Sequence, residues 1–283
     1  MRVAALLLVP LVAAVLALPA LAEPPNSALI ELDRRDEVMG WEAVGRVDIG
    51  RGGFCTGTLI ATDLVLTAAH CLFDPDGAPV DPRSIVFRAG LRGENVIATG
   101  RVIRAVAHPA YAPGRPATVE NIRHDVALLE LSEPIPAARA APFAVQEAGT
   151  GGRVSVVSYA RGRADAPAWQ RVCQMTAKEQ GLLRFDCDVT FGSSGAPVFD
   201  LSGRRATIVS VVSSGLRDGD KAVAYGMELP ALVQDLKAAL NSGKGVLIAD
   251  GDAPLAQIRR IVLGGGTAAR NVSGAKFLRV PTP

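Results

Sequence analysis

Between Val44 and Met227 the chain is a succession of short β-type runs, each cut off by Gly, Pro or Asp, which is the pattern of an antiparallel all-β fold. Residues 44–49, 56–61, 64–66, 85–88, 98–107 and 126–131 are predicted as one group of six strands. Residues 154–159, 171–176, 182–187, 196–200, 207–214 and 222–227 form a second six. A Pro-rich joint, from Pro134-Ile135-Pro136 to Pro142, separates the groups. One helix is predicted after Pro230, over residues 231–240, with Leu232, Val233, Leu236 and Leu240 on one face and Asn241-Ser242-Gly243 as its stop signal. This helix is expected to close against the second group. Beyond it, residues 243–283 hold a Gly264-Gly265-Gly266 break and two short apolar pieces, 246–249 and 258–263, whose role the sequence leaves open.

Three remote stretches carry the chemistry. Thr67-Ala68-Ala69-His70-Cys71 offers an imidazole, His124-Asp125-Val126-Ala127 a carboxylate, and Gly192-Ser193-Ser194-Gly195-Ala196-Pro197 a hydroxyl. A serine is a poor nucleophile at neutral pH, so it needs an adjacent imidazole to take its proton and a third group to hold that ring in one tautomer. His70 and Asp125 are 55 residues apart and Asp125 and Ser194 are 69 apart, so only a tertiary fold brings them together. Of the three histidines, His108 precedes Pro109 as a turn or strand residue and His124 neighbours Asp125, which leaves His70 as the base.

Composition narrows the classes further. A formal net charge of +2 provides no basic stripe for nucleic acid. No CxxC or HxxxH pattern occurs, so a metal centre is not expected and no cofactor is implied. The first 22 residues read as a secretory signal: Arg2, an apolar run over 3–18, then Ala20-Leu21-Ala22 as a cleavage site. The protein is therefore expected to be exported, to the periplasm or beyond, with no membrane association after cleavage. Four cysteines in an exported chain suggest two disulfides, for which three connectivities are possible. Asn271-Val272-Ser273 is a formal glycosylation sequon.

At these motifs the chain resembles the chymotrypsin/trypsin-fold serine peptidases, whose chain order is His, Asp, Ser. The likeness extends to Cys55-Thr56-Gly57-Thr58-Leu59-Ile60, His108-Pro109-Ala110-Tyr111 and Val212-Ser213-Ser214-Gly215, and runs roughly over residues 44–240. Its flavour is bacterial trypsin-like or glutamyl-endopeptidase-like. The resemblance implies two six-stranded antiparallel β-barrels with the site in the cleft between them. Residues 23–43 would form an N-terminal segment, 44–141 the first barrel and 142–242 the second barrel with the helix.

The resemblance also implies roles. Backbone N–H groups of Gly192 and Ser194 would form the oxyanion hole, Ser213 would bond Asp125, and Ser214 and Gly215 would pair with a polypeptide substrate. Cys55 would bridge to Cys71, leaving Cys173 for Cys187. Asp188, six residues before Ser194, stands where a trypsin-type pocket selects Arg or Lys; its other reading is a loop Asp beside Cys187. Val212 stands where glutamyl-specific relatives tend to have His. Ser193 replaces the Asp that, in activatable zymogens, pairs with a freed amino terminus, so the site is expected to form on folding without activation cleavage. The implied activity is a serine endopeptidase. The alternatives are a non-catalytic binding homologue and an esterase-like hydrolase.

Overall fold

The computed structural model describes residues 26–50, 52–218, 221–248 and 277–279. The signal reading at 1–22, the sequon, the triple glycine and the apolar piece at 258–263 lie outside the described residues. The first strands in chain order are β1 (Leu29–Glu31), β2 (Val44–Ile49), β3 (Gly53–Ala61), β4 (Leu64–Thr67), β5 (Ile85–Ala89), β6 (Ala98–Ala107) and β7 (Ala127–Leu131). They are followed by β8 (Gly152–Ala160), β9 (Arg163–Glu179), β10 (Leu182–Phe185), β11 (Pro197–Asp200), β12 (Thr207–Val211), β13 (Ser214–Asp218) and β14 (Lys221–Met227). Two short strands, β15 (Leu247–Ile248) and β16 (Phe277–Arg279), come last, and two α-helices are described, α1 (Val119–Arg123) and α2 (Pro230–Ser242).

The mostly-β, two-unit expectation holds. Strands β6-β5-β2-β3-β4-β7 form an antiparallel sheet that closes on itself because β7 also pairs with β6. Period-two burial explains this barrel: β5 turns Ile85, Phe87 and Ala89 inward, while β6 buries Ala98, Gly100 and Val102 and exposes Thr99, Arg101 and Ile103. Burying one side chain the size of Phe87 is worth about 1.5–3 kcal/mol.

The second unit is a curled sheet, in the order β12-β11-β8-β9-β10-β14-β13-β16 with β1 added on β9, rather than a ladder closed all round. Its gap between β12 and β14 is bridged by a side chain. Ser210 Oγ donates to the Met227 carbonyl (2.8 Å) and accepts from the Met227 N–H (3.0 Å). Gly226 permits that approach, since a Cβ there would lie 2.3 Å from Ser210 Oγ.

The two units meet over aromatic rings. Trp41 lies 5.0 Å from Phe199 and 5.1 Å from Trp169, and Phe143 of the joint lies 4.7 Å from Phe199, centroid to centroid. The helix α2 corrects one expectation. It buries Val233, Leu236 and Leu240 as its apolar period requires, but against the first barrel: it packs on β6 and β7, and Arg104 of β6 donates to the Leu240 carbonyl (2.9 Å). Its end follows the sequence signal, Gly243 taking the left-handed conformation at φ +73°. β15 then adds to β6, Leu247 opposite Ala105, so the tail begins as a further strand on the first barrel.

Candidate active site

His70 lies in the short 3₁₀ turn Ala69–Leu72 that follows β4. The Cys55–Cys71 disulfide ties this turn to β3, and Cys173–Cys187 ties β9 to the loop that leads to Ser194. Both bridges are those expected. Each closes a loop short enough to stabilise by about 3 kcal/mol on the chain-entropy model. Cys55, His70 and Cys71 cluster closely, but with the two sulfurs joined the group offers no thiolate to a metal.

Asp125 is buried beside His70 and fixes its ring. The His70 N–H donates to Asp125 Oδ1 (2.8 Å), while His70 Nδ1 is 2.7 Å from Oδ2. Ser213 donates its hydroxyl to the same Oδ2 (2.6 Å), as the resemblance implies. An ionised carboxylate only accepts, so Nδ1 carries the proton and Nε2 is left with its lone pair. Burial alone would raise the Asp125 carboxyl. The attraction of His70 and the hydrogen bonds from the His70 ring, Ser213 and the His70 N–H overcome that and hold it below the ordinary carboxylate value of 3.8.

The loop that delivers Asp125 is braced locally. Thr118 Oγ1 accepts from the Asn121 N–H (3.3 Å) to cap α1. Buried Asn121 accepts from Ala112 N–H (2.9 Å) and donates to the carbonyls of Ala112 (3.1 Å) and Pro116 (3.2 Å). Tyr111 packs against Phe73, centroids 5.8 Å apart and ring planes tilted by 33°. Burial, reinforced by the charge of Asp125, pushes the Tyr111 phenol above its usual range.

Ser194 arrives from the other unit. Its carbonyl accepts from the Thr56 N–H (2.8 Å) of β3, and the next N–H, of Gly195, donates to Val212 (2.7 Å), beside Ser213. Gly195, at φ +75°, nests on Thr67 and Ala68, which lead into the His70 turn. These contacts seat the Ser194 loop on β3 and on the segment that leads into the His70 turn. Ser194 Oγ and His70 Nε2 are both buried and have no hydrogen-bond partner among the described residues. No hydrogen bond joins these two atoms, and long or poorly aligned side-chain geometry is common in sites without a bound substrate.

Gly192 adopts φ +94°, with Phe54 and Ala160 where a Cβ would stand, so only glycine fits there. Thr56 Oγ1 donates to the Gly192 carbonyl (2.9 Å) and accepts from the Tyr159 N–H (3.0 Å). The N–H groups of Gly192 and Ser194 find no acceptor among the described residues.

The remaining expected residues fall in two places. Ser214 and Gly215 begin β13, opposite Tyr225 and Ala224 of β14. The other edge of β13 carries β16 in parallel, Gly215 opposite Phe277 and Leu216 opposite Leu278. Asp188 is half-buried, its N–H donating to Gln170 Oε1 (2.7 Å), and its charge acts on Arg163 of β9. Ser158 and Arg163, which support the Ser194 loop, carried no motif by which the sequence could single them out, and Thr56 lies in the Cys55-to-Ile60 stretch of the resemblance with no role assigned to it there.

His108 and His124 form their own stack, rings 4.9 Å apart and 19° from parallel, with Asp235 4.0 Å from His108 Nε2 and Glu120 3.4 Å from His124 Nδ1. Burial, with the neighbouring charge of His124, pushes His108 below its ordinary 6.5, against the pull of Asp235. The folded state thus resists a proton that the unfolded chain accepts, so this group's contribution to stability is full above 6.5 and falls as pH drops below it. His108→Gln is expected to flatten that fall, read as the wild-type minus variant unfolding free energy between pH 4.5 and 7.5.

Comparison with known proteins agrees with this fold. The profile of the trypsin-like peptidase domain matches residues 55–206, a stretch that contains His70, Asp125 and Ser194. Mouse cathepsin G is 39% identical over 77 residues, which is 27% of this chain and 25% of that protein, so the match spans a quarter of the relative's length. A solved Glu endopeptidase in complex with MPD superposes with a TM-score of 0.61 at 18% identity, covering 75% of this chain and 95% of that one, a likeness of fold. The chain belongs to the trypsin-like peptidase domain family.

Proposed function

We propose that this protein is an exported serine endopeptidase that cleaves polypeptides through an acyl-enzyme on Ser194. The observation that carries the reading is the fixed imidazole: Nδ1 bound to a carboxylate that also accepts from Ser213 and the His70 N–H, with Nε2 and the Ser194 hydroxyl both buried and without a hydrogen-bond partner among the described residues. Ser194 Oγ attacks the peptide carbonyl carbon and its proton passes to Nε2. The carbonyl oxygen becomes an oxyanion received by the N–H groups of Gly192 and Ser194, a kind of donor worth about 3 kcal/mol each. Collapse expels the amine, which takes the proton back from Nε2. Water then repeats the sequence on the ester and frees Ser194.

Export is supported by the N-terminal signal pattern and by the two disulfides, which persist in oxidising compartments. No helix among the described residues is long and apolar enough to cross a membrane. Digestion of an unfolded protein, with the cut positions mapped by mass spectrometry, tests the reading. Peptide-bond cleavage supports an endopeptidase, and hydrolysis of esters alone refutes it. Loss of cleavage after Arg or Lys in Asp188→Ala would assign that residue to specificity, although the charge of Asp188 is already shared with Arg163.

A substrate strand added along β13 meets β16 on the same edge, and one edge pairs with one strand at a time. Truncation after Ile248 is therefore expected to lower KM for a peptide of six or more residues by about 3–10-fold, because each ladder bond displaced is worth roughly 1 kcal/mol net. Hydrolysis of a single-residue ester, which needs no ladder, should be unchanged. Equal KM values for the full and truncated chains on the long peptide would contradict this.

A further inference from the structure

We infer that Arg163 is a positioning residue for the oxyanion loop, an internal cation that holds Ser193, and through it the Gly192 and Ser194 N–H groups, by way of Ser158. The inference rests on the peptidase reading and deepens it. Gly192 and Ser194 flank Ser193, so whatever fixes Ser193 fixes the aim of both donors.

The Ser193 side chain is fully buried and bonds into the second unit. Its Oγ accepts from the Thr190 N–H (3.4 Å) and donates to Ser158 Oγ (3.2 Å). Two facing hydroxyls alone can each rotate and hold little. Arg163 removes that freedom by gripping Ser158 twice, Nη2 to Oγ (3.0 Å) and Nη1 to the carbonyl.

Local structure explains how the guanidinium gets there. β8 and β9 form a hairpin in which Ala160 faces Arg163 across the turn Arg161-Gly162, with Gly162 at φ +86°. Ser158 itself lies opposite Ala168, so the long Arg163 side chain, starting opposite Ala160, reaches back along β8 to Ser158. Burial pushes the Arg163 guanidinium below its usual range, opposed by the charges of Asp188 and Glu31. A cation kept at that desolvation cost, with its planar fork on two oxygens of one residue, is a geometric restraint that a lysine's single ammonium would reproduce only in part. The other face of the loop is held from the first barrel by Thr56 on the Gly192 carbonyl, so the donors are braced from both units. Ser193 thus has its support from within the second unit, through Ser158 and the part-buried Arg163 guanidinium.

The test uses the full chain and the variants Arg163→Met, Arg163→Lys and Ser193→Ala, each checked by thermal melting. It measures kcat and KM on a peptide and the affinity of a peptide aldehyde. Ser194 Oγ adds to the aldehyde carbon, its proton goes to His70 Nε2, and the aldehyde oxygen becomes the oxyanion, so affinity reads the hole directly. Arg163→Met is expected to lower kcat and aldehyde affinity together by about 10–100-fold with KM within about threefold, the signature of a lost transition-state interaction. Arg163→Lys should recover part of both. Ser193→Ala should repeat the loss and add little to Arg163→Met in the double variant.

A folded Arg163→Met with wild-type kcat and aldehyde affinity overturns the inference. If that variant does not fold, unchanged aldehyde affinity in Ser193→Ala overturns it instead. A wild type that neither cleaves the peptide nor binds the aldehyde refutes the peptidase reading itself, an outcome distinct from active wild type with indifferent variants.

Discussion

Asp125→Asn is expected to lower kcat about 10⁴-fold while the chain still folds. The two side chains have the same shape, so packing around residue 125 is kept. What changes is the sense of one hydrogen bond. The His70 N–H, a donor only, requires an acceptor at the Oδ1 position, so the amide oxygen settles there. The amide NH₂ then faces His70 Nδ1 and Ser213, where Oδ2 had accepted from both. It donates to Nδ1, which drives the ring proton to Nε2, and Nε2 can no longer take the Ser194 proton. The measurement is kcat on a peptide near neutral pH, with thermal melting to show that folding persists. The depressed carboxyl of Asp125 adds a second effect with a definite sign. Its contribution to stability is present above the unfolded value of about 3.8 and is lost as pH falls through the lower folded value, so the variant should lack that part of the acid transition.

Gly195→Ala carries the largest expected cost to folding and activity together. A Cβ on residue 195 would sit 2.2 Å from Thr67 Oγ1, 2.4 Å from the Thr56 carbonyl and 2.8 Å from the Ala68 N–H. Two of these are backbone atoms in barrel strands or the His70 turn, and Thr67 Oγ1 is itself held by its bond to the Thr56 carbonyl (2.9 Å). None can step aside. The loop must instead lift off the first barrel, which breaks the seating of Ser194 against Thr56. The expected loss is about 3–5 kcal/mol, typical of overpacking at a strained backbone position, with hydrolysis reduced to background. Gly93→Ala is the control: φ is +56° there and nothing lies within 4 Å of the added carbon, so only the backbone penalty of about 1 kcal/mol applies. Unfolding in urea compares the two.

Much of this architecture was legible in the chain because its strands are short and punctuated. β2, β5 and β6 are short apolar-rich runs, with period-two burial along β5 and the first half of β6, and their limits fall within a residue of the reading. β9 was read too short. It runs from Arg163 to Glu179 through Pro167, a residue that cannot donate to a ladder and so marks a strand as broken. The strand survives because the Pro167 carbonyl still accepts from Leu32 (2.8 Å) and the β8–β9 register shifts nearby. α1 is a five-residue turn of helix held by a cap and by Asn121, below the length at which periodicity speaks. For α2 the apolar face was legible but its partner was not, since Val233, Leu236 and Leu240 fit either unit equally well and Arg104 decides only in three dimensions.

The site divides in the same way. His70, Asp125, Ser194 and Ser213 are visible because their chemistry needs particular residue types in particular motifs. Thr56, Ser158 and Arg163 act through contacts between strands far apart in sequence, and a threonine, a serine and an arginine in β-strands look like ordinary strand residues until the strands are paired.

The central claim is that His70 and Asp125 activate the Ser194 hydroxyl. Incubation of the full chain with a fluorophosphonate probe, followed by digestion and mass spectrometry, tests it most directly. The account predicts a single adduct on Ser194, absent from Ser194→Ala and strongly slowed in Asp125→Asn. A folded wild type that takes up no probe, or takes it up at another residue, would contradict it.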